Sequence, residues 1–170
     1  QILIILLSEM GSLVLAYPMM KYLEERYPES QLSVLVFHKN REVIELLDII
    51  GEKNILTIRV DSNTNFLWDS AKVIREIRVK RFDAVIDCEL FARVTGLFSF
   101  FSGAPIKAGF HGYTQEGLYR GDFINRPVPY NPYVHISKQF LNLAYALENN
   151  TVPGAKHMIP TGNIDVPKAQ

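Results

Sequence analysis

Four short segments gather the polar side chains that could do chemistry: residues 8–12, 38–40, 87–90 and 111–121. The first holds Ser8, Glu9, Gly11 and Ser12, of which Glu9 offers a carboxylate able to take a proton from a hydroxyl. The third carries Asp87 and Glu89 with Arg93 close behind, and the fourth carries His111, Tyr113, Glu116, Tyr119 and Arg120. The guanidinium forks of Arg93 and Arg120 suit phosphate or carboxylate groups, and His111 could position a hydroxyl. Each has a plainer reading. Glu9 could be a solvated carboxylate at a helix start, Ser12 a helix N-cap, Arg93 half of a surface ion pair, and His111 a satisfied polar group at a strand end.

What joins the four segments is their place after apolar runs. Residues 2–7 are uninterrupted and apolar, as a strand buried on both faces must be. Further strands are expected at residues 32–37, 55–60, 84–87, 106–110 and about 123–125. Between them lie helical stripes. Leu13, Ala16, Met20, Leu23 and Tyr27 mark the first, with Pro18 predicting a kink or a helix proper that starts near it. Val43, Leu46, Leu47 and Ile50 mark a second, capped by Asn40 and stopped by Gly51. A third runs from about Asn65 to Lys80, with Trp68 expected to pack. Leu90, Val94, Leu97, Phe98 and Phe101 stripe a fourth that ends at Gly103, and Ile136, Phe140, Leu143, Ala144 and Leu147 the last. The alternation predicts an α/β fold: a Rossmann-like open parallel sheet with helices on both faces and right-handed crossovers. In such sheets ligands bind beyond the carboxyl ends of the strands, which selects those four segments as candidate site loops.

Several chemistries are disfavoured. Gly11 stands alone where a dinucleotide-binding loop needs three glycines, and no phosphate-gripping glycine-lysine-serine run occurs. His38, His111, His135 and His157 are too scattered for a metal site, and no metal or other cofactor is expected. No glycine-flanked serine marks a hydrolase nucleophile. Cys88, the one cysteine, can form no intrachain disulfide and reads as a small buried side chain. Eighteen basic residues balance eighteen acidic ones in 170, which argues against a dedicated nucleic-acid partner. The cationic series Lys72, Arg75, Arg78, Lys80 and Arg81 reads mainly as a solvated helix face, with peripheral attraction to an anionic membrane as the lesser reading. The leading apolar run is too short to span a bilayer, so a soluble, cytoplasmic protein is expected. Gln1 standing directly before a strand, and the Pro- and Gly-rich residues 151–170, read as signs of a piece of a longer chain.

The opening run from Ile2 through Ser8-Glu9-Met10-Gly11-Ser12 to Pro18 resembles the start of glycosyltransferase family 9, where a strand leads into a Ser-Ser-hydrophobic-Gly-Asp loop and a helix with an early proline. Phe82-Asp83-Ala84-Val85-Ile86-Asp87 is similar to that family's fourth-strand motif, and residues 102–110 to its fifth. His135 and the helix ending Leu143-Ala144-Tyr145-Ala146-Leu147 resemble its last N-terminal helix. The likeness covers roughly residues 2 to 150, one domain by size.

The resemblance implies the N-terminal, acceptor-side half of a two-domain GT-B enzyme akin to the ADP-heptose:lipopolysaccharide heptosyltransferases. Residues 1–150 would form that domain, and residues 151–170 a linker or crossover toward a C-terminal domain that binds the donor. Its implied partners are a nucleotide sugar and a saccharide acceptor, its setting bacterial cell-envelope glycan synthesis, and residues 1–170 alone would be inactive. The position of the family's catalytic aspartate is Ser12 here, and a serine cannot act as a base near neutral pH without a proton acceptor of its own. Glu9 is the nearest carboxylate that could replace it, with Ser12 beside it. Ser8, Gly11, Glu89, Arg93, His111, Tyr119 and Arg120 would contact substrate. Loss of the aspartate leaves a second expectation open: a non-catalytic sugar- or nucleotide-binding module.

Overall fold

The computed structural model describes residues 1–90, 93–111 and 123–148. Six strands, β1 (Ile2–Ile5), β2 (Leu32–Phe37), β3 (Ile55–Ile58), β4 (Ala84–Asp87), β5 (Ile106–His111) and β6 (Arg126–Pro129), form one sheet in the order β3-β2-β1-β4-β5-β6. Every neighbouring pair is parallel. The helices are α1 (Met10–Leu15), α2 (Tyr17–Arg26), α3 (Arg41–Leu47), α4 (Asn63–Lys80), α5 (Arg93–Phe101) and α6 (Ile136–Tyr145).

Successive side chains of a strand point to opposite faces, and the apolar run of β1 feeds two cores on that period. Ile2, Ile4 and Leu6 pack with Leu13, Met20 and Leu23 of α1 and α2, Ile44 of α3 and Leu143 of α6. Leu3, Ile5 and Leu7 pack on the other face with Val73 and Ile77 of α4 and Phe98 of α5. Covering both faces is what lets a continuous apolar strand be buried throughout. None of the described helices is long and apolar enough to cross a membrane.

Several local expectations are corrected. The N-cap of α1 is Glu9 and not Ser12, which sits inside the first turn with its N–H donating to the Glu9 carbonyl at 3.0 Å. Pro18 does divide the first helical stripe: α1 ends at Leu15, and α2 starts at Tyr17 with the proline in its first turn, where no N–H is needed. The second stripe stops at Leu47, where Asp48 takes a left-handed conformation (φ 50°), before Gly51 is reached. Short polar side chains tolerate that conformation better than most. Trp68 is exposed. In the fourth stripe Phe98 is buried and Leu90 and Val94 pack against the cores as expected, but Leu97 and Phe101 are exposed, and Thr95 and Ser99 are buried in addition. The last strand lies at residues 126–129, not 123–125.

Candidate active site

In the observed strand order the chain reverses direction across the sheet between β1 and β4, and a crevice opens beyond the carboxyl ends of strands at such a switch point. Its two walls begin with a backbone fork. The Cys88 N–H still donates to the Ile5 carbonyl at 3.0 Å, while the Leu6 N–H turns to the Leu35 carbonyl of β2 at 3.0 Å. Beyond this fork Ser8 and Glu89 meet across the switch point, the Ser8 hydroxyl donating to Glu89 Oε1 at 2.6 Å. Hydroxyl-to-carboxylate bonds of that length are charge-assisted and stronger than neutral ones.

Both partners are held from behind. The buried Asn40 amide donates to the Ser8 carbonyl at 2.8 Å, so an asparagine read as a helix cap spends its side chain on the neighbouring loop. Asp87, fully buried at the end of β4, accepts the Glu89 N–H at 3.1 Å. Its other oxygen faces the Ser99 hydroxyl at 3.5 Å. A buried carboxylate needs donors around it, and Ser99, buried on α5, is one of them. Asn40, Ser8, Glu89, Asp87 and Ser99 thus make a continuous polar line at the switch point.

Glu9 stands above that line, its side chain 85% exposed. It leans toward the β2 side, where Lys39 Nζ lies 3.3 and 3.4 Å from its two oxygens. Gly11 has an open flank: a β-carbon there would meet no atom within 4 Å among the described residues. Ser12 is partly exposed one residue on. The loop after β1 therefore brings Ser8, Glu9, Gly11 and Ser12 together, and Glu89 joins Ser8 from the β4 side. Arg93 opens α5 and His111 closes β5 at the same edge of the sheet, whereas Tyr119 and Arg120 lie outside the described residues. Among the described residues, no group of three or more His, Cys, Asp or Glu side chains gathers to hold a metal ion.

A second polar arrangement was not anticipated. Arg59, just past β3, grips Asp69 of α4 with Nε at 2.8 Å and Nη2 at 2.9 Å, and its backbone N–H adds a bond of 3.0 Å. These bonds hold the Asp69 carboxyl down at about 2. A hollow of about 450 Å³ opens beside the pair along the free edge of β3, reached by His38, Arg41 and Lys72. Arg59 and Asp69 are ten residues apart in separate elements, and no local spacing signal announces such a pair.

No protein-family model matches the chain, and no curated protein matches it. Solved structures do. The crystal structure of the glycosyl transferase family 9 from Veillonella parvula superposes with a TM-score of 0.72 at 19% identity, over 88% of this chain and 42% of that one. E. coli heptosyltransferase WaaC with ADP-2-deoxy-2-fluoro heptose gives 0.67 at 16% identity, over 84% of this chain and 46% of that one. The same enzyme with ADP gives 0.69 at 15% identity, with the same coverage. At these identities the likeness speaks for the fold, and the chain spans less than half the length of each structure it matches. Its Rossmann-like sheet is therefore built as in the glycosyltransferase family 9 structures, heptosyltransferase WaaC among them.

Proposed function

We propose that this chain is the acceptor-side, N-terminal half of a GT-B glycosyltransferase that moves a heptose-like sugar from a nucleotide-sugar donor to a saccharide acceptor in cell-envelope glycan synthesis. The observation that carries the reading is the fold likeness to three glycosyltransferase structures, two of them with ADP or an ADP-sugar. The crevice residues supply the chemistry such a half needs.

In this reading Glu9 takes the proton of the acceptor hydroxyl as its oxygen attacks the anomeric carbon, and the bond from that carbon to the nucleotide diphosphate breaks. Ser8 and Glu89 form the floor that orients the acceptor, and their mutual bond fixes the geometry before substrate arrives. Ser12 and the open flank of Gly11 line the approach, while Arg93, His111, Tyr119 and Arg120 hold the acceptor's polar groups. A second domain binds the donor, and closure of the two halves excludes water. The test is sugar transfer from ADP-heptose by the full-length protein and by its Glu9→Gln variant. Loss of at least about 100-fold in kcat with little change in KM supports Glu9 as the base. Unchanged transfer removes it from that role.

A second reading, a non-catalytic sugar- or nucleotide-binding module, draws on two observations: Ser12 supplies no carboxylate, and Glu9 is engaged by Lys39. Calorimetric binding of sugar nucleotides together with absent transfer by the full-length protein would favour it.

A further inference from the structure

We propose that the free edge of β3 pairs with the same edge of a second copy of the chain, antiparallel about a two-fold axis, joining two six-stranded sheets into one. The inference does not depend on the chemistry assigned to the crevice, which opens between β1 and β4, away from this border. Strand β3 ends the sheet, and nothing among the described residues pairs with its outer side. An open strand edge offers backbone N–H and carbonyl groups to a newcomer unless charge, proline or a covering element protects it. Ile55-Leu56-Thr57-Ile58 carries neither a charge nor a proline. Its outer side gives onto the hollow of about 450 Å³, where Arg41 reaches in from the α3 face of the sheet and Lys72 and Glu76 from the α4 face. These walls are long side chains that can swing aside for an incoming strand.

Two ties hold α4 level with this edge. At the carboxyl end of β3, Arg59 grips Asp69. At the amino end, Lys80 donates to the Lys53 carbonyl at 3.2 Å and to the Asn54 side chain at 3.1 Å. From Asp69 to Lys80 the helix rises about 16 Å, at roughly 1.5 Å per residue. From Arg59 back to Asn54 the chain covers about 16 Å, at roughly 3.3 Å per residue. Strand and helix therefore share a midpoint, at Leu56 and Thr57 on one and at Ile74 and Arg75 on the other. In an antiparallel pair, residues that face each other must point to the same side of the sheet, which sets the axis of a symmetric pair at Leu56 or at Thr57. That axis is perpendicular to the sheet, so the α4 helices of both copies lie on one face.

Charge makes this border complementary to itself. Lys72 and Glu76 stand one helical turn apart on the flank of α4 that overlooks the hollow, one on either side of the shared midpoint. The two-fold axis brings Lys72 of each copy against Glu76 of the other. A parallel pairing would set Lys72 against Lys72 and Glu76 against Glu76. Both groups are available: Lys72 is exposed, and Glu76 is held only loosely by Lys80 at 3.8 Å. Asp69 adds little, because Arg59 already spends its charge. Exposed ion pairs contribute little affinity, so backbone bonds between the strands hold the dimer and the charges choose its direction. One patch meeting itself is the usual form of a two-fold dimer, and it closes, leaving no free β3 edge for a third copy.

Sedimentation equilibrium of the full-length protein tests the pairing. Its mass is expected to double with rising concentration, with a dissociation constant on the order of micromolar for so short a strand. Lys72→Glu and Glu76→Lys each set like charges against one another across the axis. Each variant, checked for folding by circular dichroism, is expected to self-associate roughly tenfold more weakly or worse. Mixed in equal amounts, the two variants are expected to form a heterodimer about as tightly as the parent pairs with itself, since each offers the charge the other lacks. A variant that had merely lost its fold would not be rescued in this way. The proposal is overturned by any of three results: a parent protein that stays monomeric at all concentrations, single variants that self-associate as the parent does, or a mixture that associates no better than either variant alone. The second would assign the dimer to another face.

Discussion

Ser8 and Glu89 are 81 residues apart in sequence and joined by a 2.6 Å hydrogen bond across the point where the sheet changes direction. The bond couples the loop after β1 to the loop after β4, and its removal should be felt as stability before it is felt as chemistry. Ser8→Ala deletes the donor and leaves a buried carboxylate with one fewer partner, at a cost of about 1–3 kcal/mol. Glu89→Gln keeps an acceptor for the hydroxyl and should cost less. Urea unfolding of the two variants checks the order; a larger loss for Glu89→Gln would contradict it.

Asn40 offers a test of direction. Its amide donates to the Ser8 carbonyl from a buried position. Asn40→Ala should cost roughly 1 kcal/mol for the lost bond. Asn40→Asp should cost more, because it sets a carboxylate oxygen against a carbonyl oxygen away from water. If the residue acted as a helix cap, aspartate would instead replace it with little loss, since both cap well.

The Arg59–Asp69 pair predicts a pH dependence. The carboxyl titrates near 2 when folded, below its ordinary value of 3.8. A depressed carboxylate value means the unfolded chain binds the proton first, so the pair contributes its full stability above about pH 4 and loses it as pH falls toward 2. Asp69→Asn should therefore lower the thermal midpoint at neutral pH and flatten its fall between pH 4 and 2. Parallel curves for the two proteins would rule the pair out as the source.

Gly103 has a positive φ of 67° at the end of α5. Gly103→Ala should destabilise by about 1 kcal/mol through that conformation, with a further small term from the Arg78 guanidinium 3.3 Å away. The Gly103→Ala, Arg78→Ala double variant should recover only the second part, and differential unfolding curves separate the two.

Much of the fold was readable because β1 is apolar without interruption, and β2 and β4 are so apart from Ser33 and Asp87, as strands covered on both faces permit. The loops bearing Ser8, Glu9, Gly11, Ser12 and Glu89 followed from that pattern together with the rule for ligands at strand ends. What escaped depended on contacts between distant segments. The burial of Ser99 on α5 goes with its contact to Asp87, which apolar spacing could not announce. Asn40 looked like a cap because its loop partner, Ser8, is 32 residues away. Strand β6 was misplaced because Arg126-Pro127-Val128-Pro129 carries two prolines, which normally argue against a strand.

Those prolines have an effect beyond their own strand. Sitting two apart on the outermost strand, Pro127 and Pro129 have no N–H to present to a newcomer, while Arg126 and Val128 between and before them can still serve the β5 side. A foreign β-segment seeking a template therefore finds carbonyl acceptors but no N–H donors at Pro127 and Pro129. Sheet growth is better served by the opposite border, beside Arg59 and Lys72, where incoming chains meet positive charge.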